Sequence, residues 1–346
     1  MKKLLTLALA LSLLAGCAGT PVSTGDAGTT AAPETTEAPA AMVKTGLSIS
    51  ADISGSKSAT AGEDGQAKYD VTLVAVTVND KGVIESCVID SIPATVKFSA
   101  AGAVTSDLTA AVPTKNEMGE AYGMKAYGGS KYEWNEQVAS LAAYAVGKTA
   151  EELKSGAVDE TGHAKDADLA STASIYLGGY VDGIVAAVNN AQHLGAQSGD
   201  VLKLATVNSL SGSKDATAEK AGVAQLDVYI TAMTMNGDVI SSCYIDSVQA
   251  KVAFDAAGAV TTDLTAPVQT KNELGENYGM KAYGGAKYEW YEQAAAFAAY
   301  VTGKNPAEVA GIALNEKAAP ADADLAASVT ISIGDFQTLI AKAAAQ

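Results

Sequence analysis

Arginine is absent from all 346 residues, histidine occurs twice and cysteine three times. The lack of arginine, together with a formal net charge of −16, excludes nucleic acid as a partner. Phosphate neutralisation and bidentate base reading both draw on basic side chains, arginine above all. An acidic balance instead suits the solubility of an exported protein. No CxxC pair occurs, so thiol redox chemistry has no motif to rest on. Past residue 17 no apolar run is long enough to make a transmembrane helix.

The chain does have a short basic start (Lys2, Lys3), an apolar run and then Leu14-Ala15-Gly16-Cys17. This is a signal segment, 1–17, that resembles bacterial lipoprotein signals, a resemblance implying acylation of Cys17 and a lipid anchor on the extracytoplasmic face of the cell membrane. Residues 18–43 are Ala, Thr, Pro, Gly and Ser with almost no large apolar side chain. Such a composition cannot offset its chain entropy by burial and reads as a flexible stalk.

The remainder is written twice. "TKNEMGEAYGMKAYGGSKYEWNEQ" (114–137) returns as "TKNELGENYGMKAYGGAKYEWYEQ" (270–293) with four differences in 24 positions. Tyr122 pairs with Tyr278, Cys87 with Cys243, Trp134 with Trp290 and Asp168 with Asp324, each pair 156 residues apart. The chain is a tandem duplication, 44–192 and 199–346, each copy long enough for a domain with its own core and expected to fold alone. His163 and His193 have no counterparts in the second copy, so surface positions are favoured over a duplicated catalytic or metal site. Cys87 and Cys243 fall in apolar strands and read as buried thiols; a disulfide between the copies is the alternative.

Within a copy, residues 70–91 alternate apolar side chains around Asn79-Asp80-Lys81-Gly82, a β-hairpin pattern. A further short strand is expected near 94–98, and its counterpart near 250–254. Helical periodicity covers 133–146, a capping box starts a helix at Thr149 with Glu152, and Asn305-Pro306 with Glu308 does so in copy two. A β-like run and a last amphipathic helix (181–190; 335–345) close each copy. The fold class is α+β: two tandem copies of one antiparallel sheet with helices.

The repeated segment joins Tyr122, Tyr127, Tyr132 and Trp134 to Gly119, Gly123, Gly128 and Gly129. Aromatic faces with backbone free to approach suit a flat ligand, although tight loops packed by aromatics would look alike. "DADLASTAS" (166–174) and "DADLAASVT" (322–330) place an acidic residue six positions ahead of a hydroxyl, which by itself also fits a helix-capping turn.

Taken in order, Gly82-Val83-Ile84, Glu117 and Gly119, Trp134 to Gln137, Gly147-Lys148 and the Asp168-to-Ser174 stretch resemble the FMN-binding domain family. That family includes the flavin subunits of the Rnf and sodium-pumping quinone reductase complexes, and exported lipoproteins with tandem flavin domains that serve extracellular electron transfer. In it, the last hydroxyl of Asp-x-x-(Ser/Thr)-Gly-Ala-(Thr/Ser) carries FMN through a phosphoester placed by a flavin transferase. The resemblance implies Ser174 and Thr330 as flavin-bearing residues, Asp168 and Asp324 as the acidic residues of the transferase motif, and flavin contacts from Glu117, Glu273, Gly119, Gly275, Tyr122, Tyr278, Tyr127 and Tyr283. Lys115, Lys125 and Lys131 are then the candidates to neutralise phosphate. Thr172 stands where the motif has Gly, and Ala327, Ser328 and Val329 where it has hydroxyl, Gly and Ala. The implied function is a non-catalytic electron carrier between a membrane donor and soluble acceptors. Its rivals are a non-redox ligand-binding surface lipoprotein of the same fold and an adhesion module without a small ligand.

Overall fold

Residues 65–78 send Ala67, Tyr69, Val71, Leu73 and Ala75 to one face of a strand, and all five are fully buried. The computed structural model describes residues 40–346; the signal segment, Cys17 and most of the stalk lie outside the described residues. Strands β1 (Lys44–Asp52), β2 (Gly65–Val78) and β3 (Ile84–Phe98) form one antiparallel sheet in the order β1-β2-β3. The second copy repeats it with β4 (Val201–Ser209), β5 (Gly222–Asn236) and β6 (Val239–Phe254). The hairpin turn is held by Asn79 Oδ1, which accepts from the N–H groups of Lys81 (3.0 Å) and Val83 (3.1 Å).

The separate strand expected at 94–98 is the continuation of β3, which runs through Pro93 without a break. Proline is tolerated because β3 pairs only with β2, so the missing N–H faces the unpaired side. The β-like run before the last helix is no strand either; residues 173–177 form an irregular turn.

Helices follow each sheet: α1 (Lys115–Met118), α2 (Trp134–Ala145), α3 (Ala150–Gly156), α4 (Ala167–Thr172) and α5 (Gly178–Asn189). In the second copy they are α6 (Lys271–Leu274), α7 (Met280–Gly284), α8 (Trp290–Val301), α9 (Pro306–Ala310), α10 (Ala323–Ala326) and α11 (Gly334–Ala344). Thr149 and Asn305 close capping boxes with Glu152 and Glu308. None of the described helices is long and apolar enough to cross a membrane.

Each sheet buries both faces. One face packs on its own helices: Trp134, Leu141, Leu177 and Ile184 in the first copy, Trp290, Phe297, Phe336 and Leu339 in the second. The other face meets its counterpart in a core common to both copies, where Leu47, Leu73, Ile92 and Phe98 join Leu204, Ile230, Val248 and Phe254. Phe98 and Phe254, equivalent positions, stack at 4.1 Å and 3°. Reciprocal bonds from Ala59 N–H to Gly258 O (2.8 Å) and Ala216 N–H to Gly102 O (2.7 Å) complete an approximate two-fold arrangement. The copies thus form one four-layered unit, helix on sheet on sheet on helix. Val43, at the end of the stalk by sequence, is fully buried and bonds through its N–H to Ala196 O in the joint.

Candidate functional site

The repeated segment is first a piece of architecture. Thr114 caps α1, accepting from Glu117 N–H at 3.1 Å, while Glu117 Oε2 accepts from Thr114 N–H at 2.9 Å. Thr270 and Glu273 repeat this box at 3.1 and 2.8 Å. Asn116 docks α1 on β3 through Ile89 O, and buried Asp90 accepts from Asn116 N–H. The equivalent Asp246 is pushed up to about 6 by burial. Gly119 and Gly275 hold φ 51° with ψ −124° and −121°, a backbone conformation that side chains exclude. Buried Glu133 then pins the following loop, its carboxylate accepting from Met124 N–H (2.8 Å) and Lys125 N–H (3.1 Å); Glu289 does the same for Met280 and Lys281.

Lysines 115 and 271 do not reach a solvent phosphate. Both are buried, and Lys271 Nζ lies 4.8, 5.0 and 5.1 Å from the ring centroids of Trp290, Tyr229 and Tyr278. Burial pulls its amine down to about 8, against the upward pull of Asp227, Asp246 and Asp335. Lys115 sits likewise over Tyr122 and Trp134, so of the three lysines named for phosphate it is withdrawn. Lys125 is paired with Glu136 at 3.2 Å, and Lys131 stays exposed over the Tyr132 ring at 4.8 Å.

The aromatics divide by role. Trp134 is core, donating from Nε1 to Tyr180 OH at 3.0 Å, and Tyr122 and Tyr278 are half-buried against the caged lysines. Tyr127 and Tyr283 stand out, 91% and 92% exposed, each lying over the αL glycine four residues before it. Here the identity of the tyrosine outruns what packing uses: the Ala-Tyr-Gly-Gly run is exposed in both copies, its last glycine alone being required by a positive φ of 64° and 65° in both. A cavity of about 580 Å³ beside Tyr283 is lined also by Glu276, Asn277 and Lys281.

The second feature, the hydroxyl turn, meets this loop through a residue that the sequence reading did not single out as a site residue. Gln137 is fully buried on the inner face of α2. Its Oε1 accepts from Ser174 N–H (2.8 Å), Ile175 N–H (3.2 Å) and Ser174 Oγ–H (3.3 Å). Its Nε2 donates to Tyr132 O (3.0 Å) and Ser130 Oγ (3.2 Å). Gln293 repeats the arrangement with Thr330 N–H (2.8 Å), Ile331 N–H (3.2 Å), Thr330 Oγ1–H (3.1 Å) and Tyr288 O (3.0 Å). A signal was there: in the apolar stripe Trp134, Val138, Leu141, a glutamine occupies an inward position, where a polar side chain needs partners.

Ser174 and Thr330 are exposed. The capping residues of α4 and α10 are Asp166 and Asp322, whose carboxylates take the N–H groups of Asp168, Leu169, Asp324 and Leu325. Asp168 and Asp324 sit in the first turns with their side chains in solvent. Glu117 and Glu273 have the capping role described above, and Glu117 also pairs with Lys342 of α11 at 2.7 Å.

Away from the hydroxyls each copy carries a groove between its last strand and the following helix. One, of about 460 Å³, is lined by Cys87, Ile89, Val138 and Ala142; the other, of about 580 Å³, by Cys243, Ile245, Tyr291 and Ala298, with His193 and Leu194 of the joint at its side. Cys243 is buried, which pushes its thiol up to about 12, and Cys87 is half-buried; both are free. His193 pairs with Asp80 at 3.0 Å and His163 is exposed. Among the described residues no group of three or more His, Cys, Asp or Glu side chains is placed to hold a metal ion. Comparison with protein-family models, with curated proteins and with solved structures finds no match to this chain.

Proposed function

We propose that this chain is an exported, lipid-anchored flavoprotein that carries electrons in two repeated domains, with flavin mononucleotide attached at Ser174 and Thr330. One observation carries the reading: in both copies a single buried amide, Gln137 or Gln293, ties the hydroxyl turn to the aromatic loop. That tie supports reading the two segments, each of which suggests a flavin by sequence, as parts of one site.

The residues present fit such a group. Each candidate hydroxyl is exposed, so a phosphoester would stand in solvent where water screens its charge. Lys131 and Lys287 each adjoin in sequence the tyrosine whose carbonyl the glutamine holds, and are the candidate cations on that loop. Tyr127 and Tyr283 offer free faces for stacking, and Glu133 and Glu289 keep their loops in place. Asp168 and Asp324 are open to a flavin transferase. When bound, the flavin supplies the electron-transfer chemistry, while the protein supplies attachment, stacking and electrostatic tuning. An anchor at Cys17 and the stalk would let the carrier work between a membrane donor and soluble acceptors.

The twin grooves favour a second reading, a surface lipoprotein that binds an apolar ligand reversibly without redox chemistry. Coexpression with a flavin transferase separates the two. The carrier reading expects a yellow protein that bleaches on reduction, recovers in air and keeps its fluorescence through a denaturing gel. A colourless product beside an active transferase contradicts it.

A further inference from the structure

We infer that Gln137 and Gln293 are the positioning residues for flavin attachment, each setting the direction of its hydroxyl and the spacing between that hydroxyl and the aromatic loop. This rests on the reading just given and adds to it a residue and a division of labour.

The amide is used at both ends. Its oxygen receives two backbone N–H groups and the hydroxyl proton; its nitrogen holds the carbonyl of Tyr132 or Tyr288. A glutamine with no exposure has no water to substitute for these partners, so the network is satisfied as built or loses heavily. The same bonds recur although the turns differ: Ala-Ser-Thr-Ala before Ser174, Ala-Ala-Ser-Val before Thr330. What is kept is the acceptor under the hydroxyl.

A hydroxyl whose proton points inward to an amide oxygen presents its lone pairs outward. Attachment forms a bond from that oxygen to the phosphorus of a flavin nucleotide activated as a phosphoanhydride. The phosphoanhydride bond breaks, its other phosphate half leaves, and the hydroxyl proton is released; no electron is gained or lost. The glutamine neither gives nor takes that proton overall. It keeps the two N–H groups of the turn before and after, so the ester would stay tied to the loop held at Tyr132 or Tyr288 instead of swinging free.

The full chain contains its own control, because one site can be altered while the other is read. Gln293→Met removes the acceptor at similar length; Gln293→Glu keeps an oxygen for the turn. With a flavin transferase supplied, the rate of adduct formation is read at each hydroxyl by peptide mapping. In the Met variant Thr330 is expected to load about tenfold more slowly or worse, Ser174 at the wild-type rate, and the Glu variant, which keeps the acceptor but loses the bond to Tyr288 O, to recover only part of the loss. Wild-type loading of Thr330 in Gln293→Met overturns the inference. So does equal loss at both hydroxyls, which would indicate a damaged fold. Amide exchange without transferase tests the geometry independently of the flavin. Thr330 and Ile331 should lose protection in Gln293→Met, and unchanged protection there overturns the inference too. Should wild-type chain never load beside an active transferase, it is the proposed function that fails, and the exchange result still stands on its own.

Discussion

Tyr69 lies fully buried in the core common to both copies, and its hydroxyl has no hydrogen-bond partner among the described residues. A buried hydroxyl without a partner costs about 1–3 kcal/mol, so Tyr69→Phe should stabilise the protein by about 1 kcal/mol, read as a higher urea midpoint at unchanged slope. A lower midpoint would mean that the hydroxyl is satisfied. The caged Lys271 makes a pH prediction. Its amine is lowered to about 8 from 10.5, so below about 8 the folded chain bears the whole cost of a buried charge. Between about 8 and 10.5 the unfolded chain holds the proton and the folded one does not, so stability from this group rises with pH. The stability difference between Lys271→Met and wild type should therefore shift in favour of wild type from pH 7 to pH 10, and a constant difference would contradict the burial argument. Single residues were legible in the sequence where chain-local chemistry decides them, as with the capping boxes at Thr149 and Asn305. Lys115 was misread as a phosphate partner because its cage is assembled by tertiary packing.

At the scale of elements, the loop after α1 and α6 depends on a backbone state that only glycine adopts comfortably. Gly119→Ala or Gly275→Ala should destabilise by about 1–3 kcal/mol even though nothing lies within 4 Å to obstruct a Cβ there. Thermal melts of the two variants check this, and unchanged midpoints would refute it. The hairpins, α2 and the last helices were readable because apolar period and turn residues act over a few positions. β1 escaped notice, and β3 was divided at Pro93, because an edge position that accommodates proline is set by which strands pair, which the local pattern does not state. The candidate site was legible as two separate segments. Their junction at Gln137 and Gln293 spans 37 residues of chain and is visible only once the helix is packed.

For the whole molecule, the two copies read from sequence as separate domains, yet Leu73, Ile92 and Phe98 of one cover Ile230, Val248 and Phe254 of the other. An isolated copy would leave that sheet face in water, so the full chain should unfold in one transition. Phe98→Ala, removing one half of the central stack, should lower it as a unit by about 3–5 kcal/mol. Two transitions, with only one displaced, would instead show independent domains. Repetition itself was plain in the sequence; the apolar inner faces did not reveal that each was made for the other, since alternation marks a buried face without naming its partner. The most direct test of the account is the intact mass of the full chain, purified after coexpression with a flavin transferase shown to load a control substrate. Wild type should carry two flavin phosphoesters, Ser174→Ala and Thr330→Ala one each, and the double variant none. A wild-type chain without adduct, or a double variant that keeps one, would contradict it.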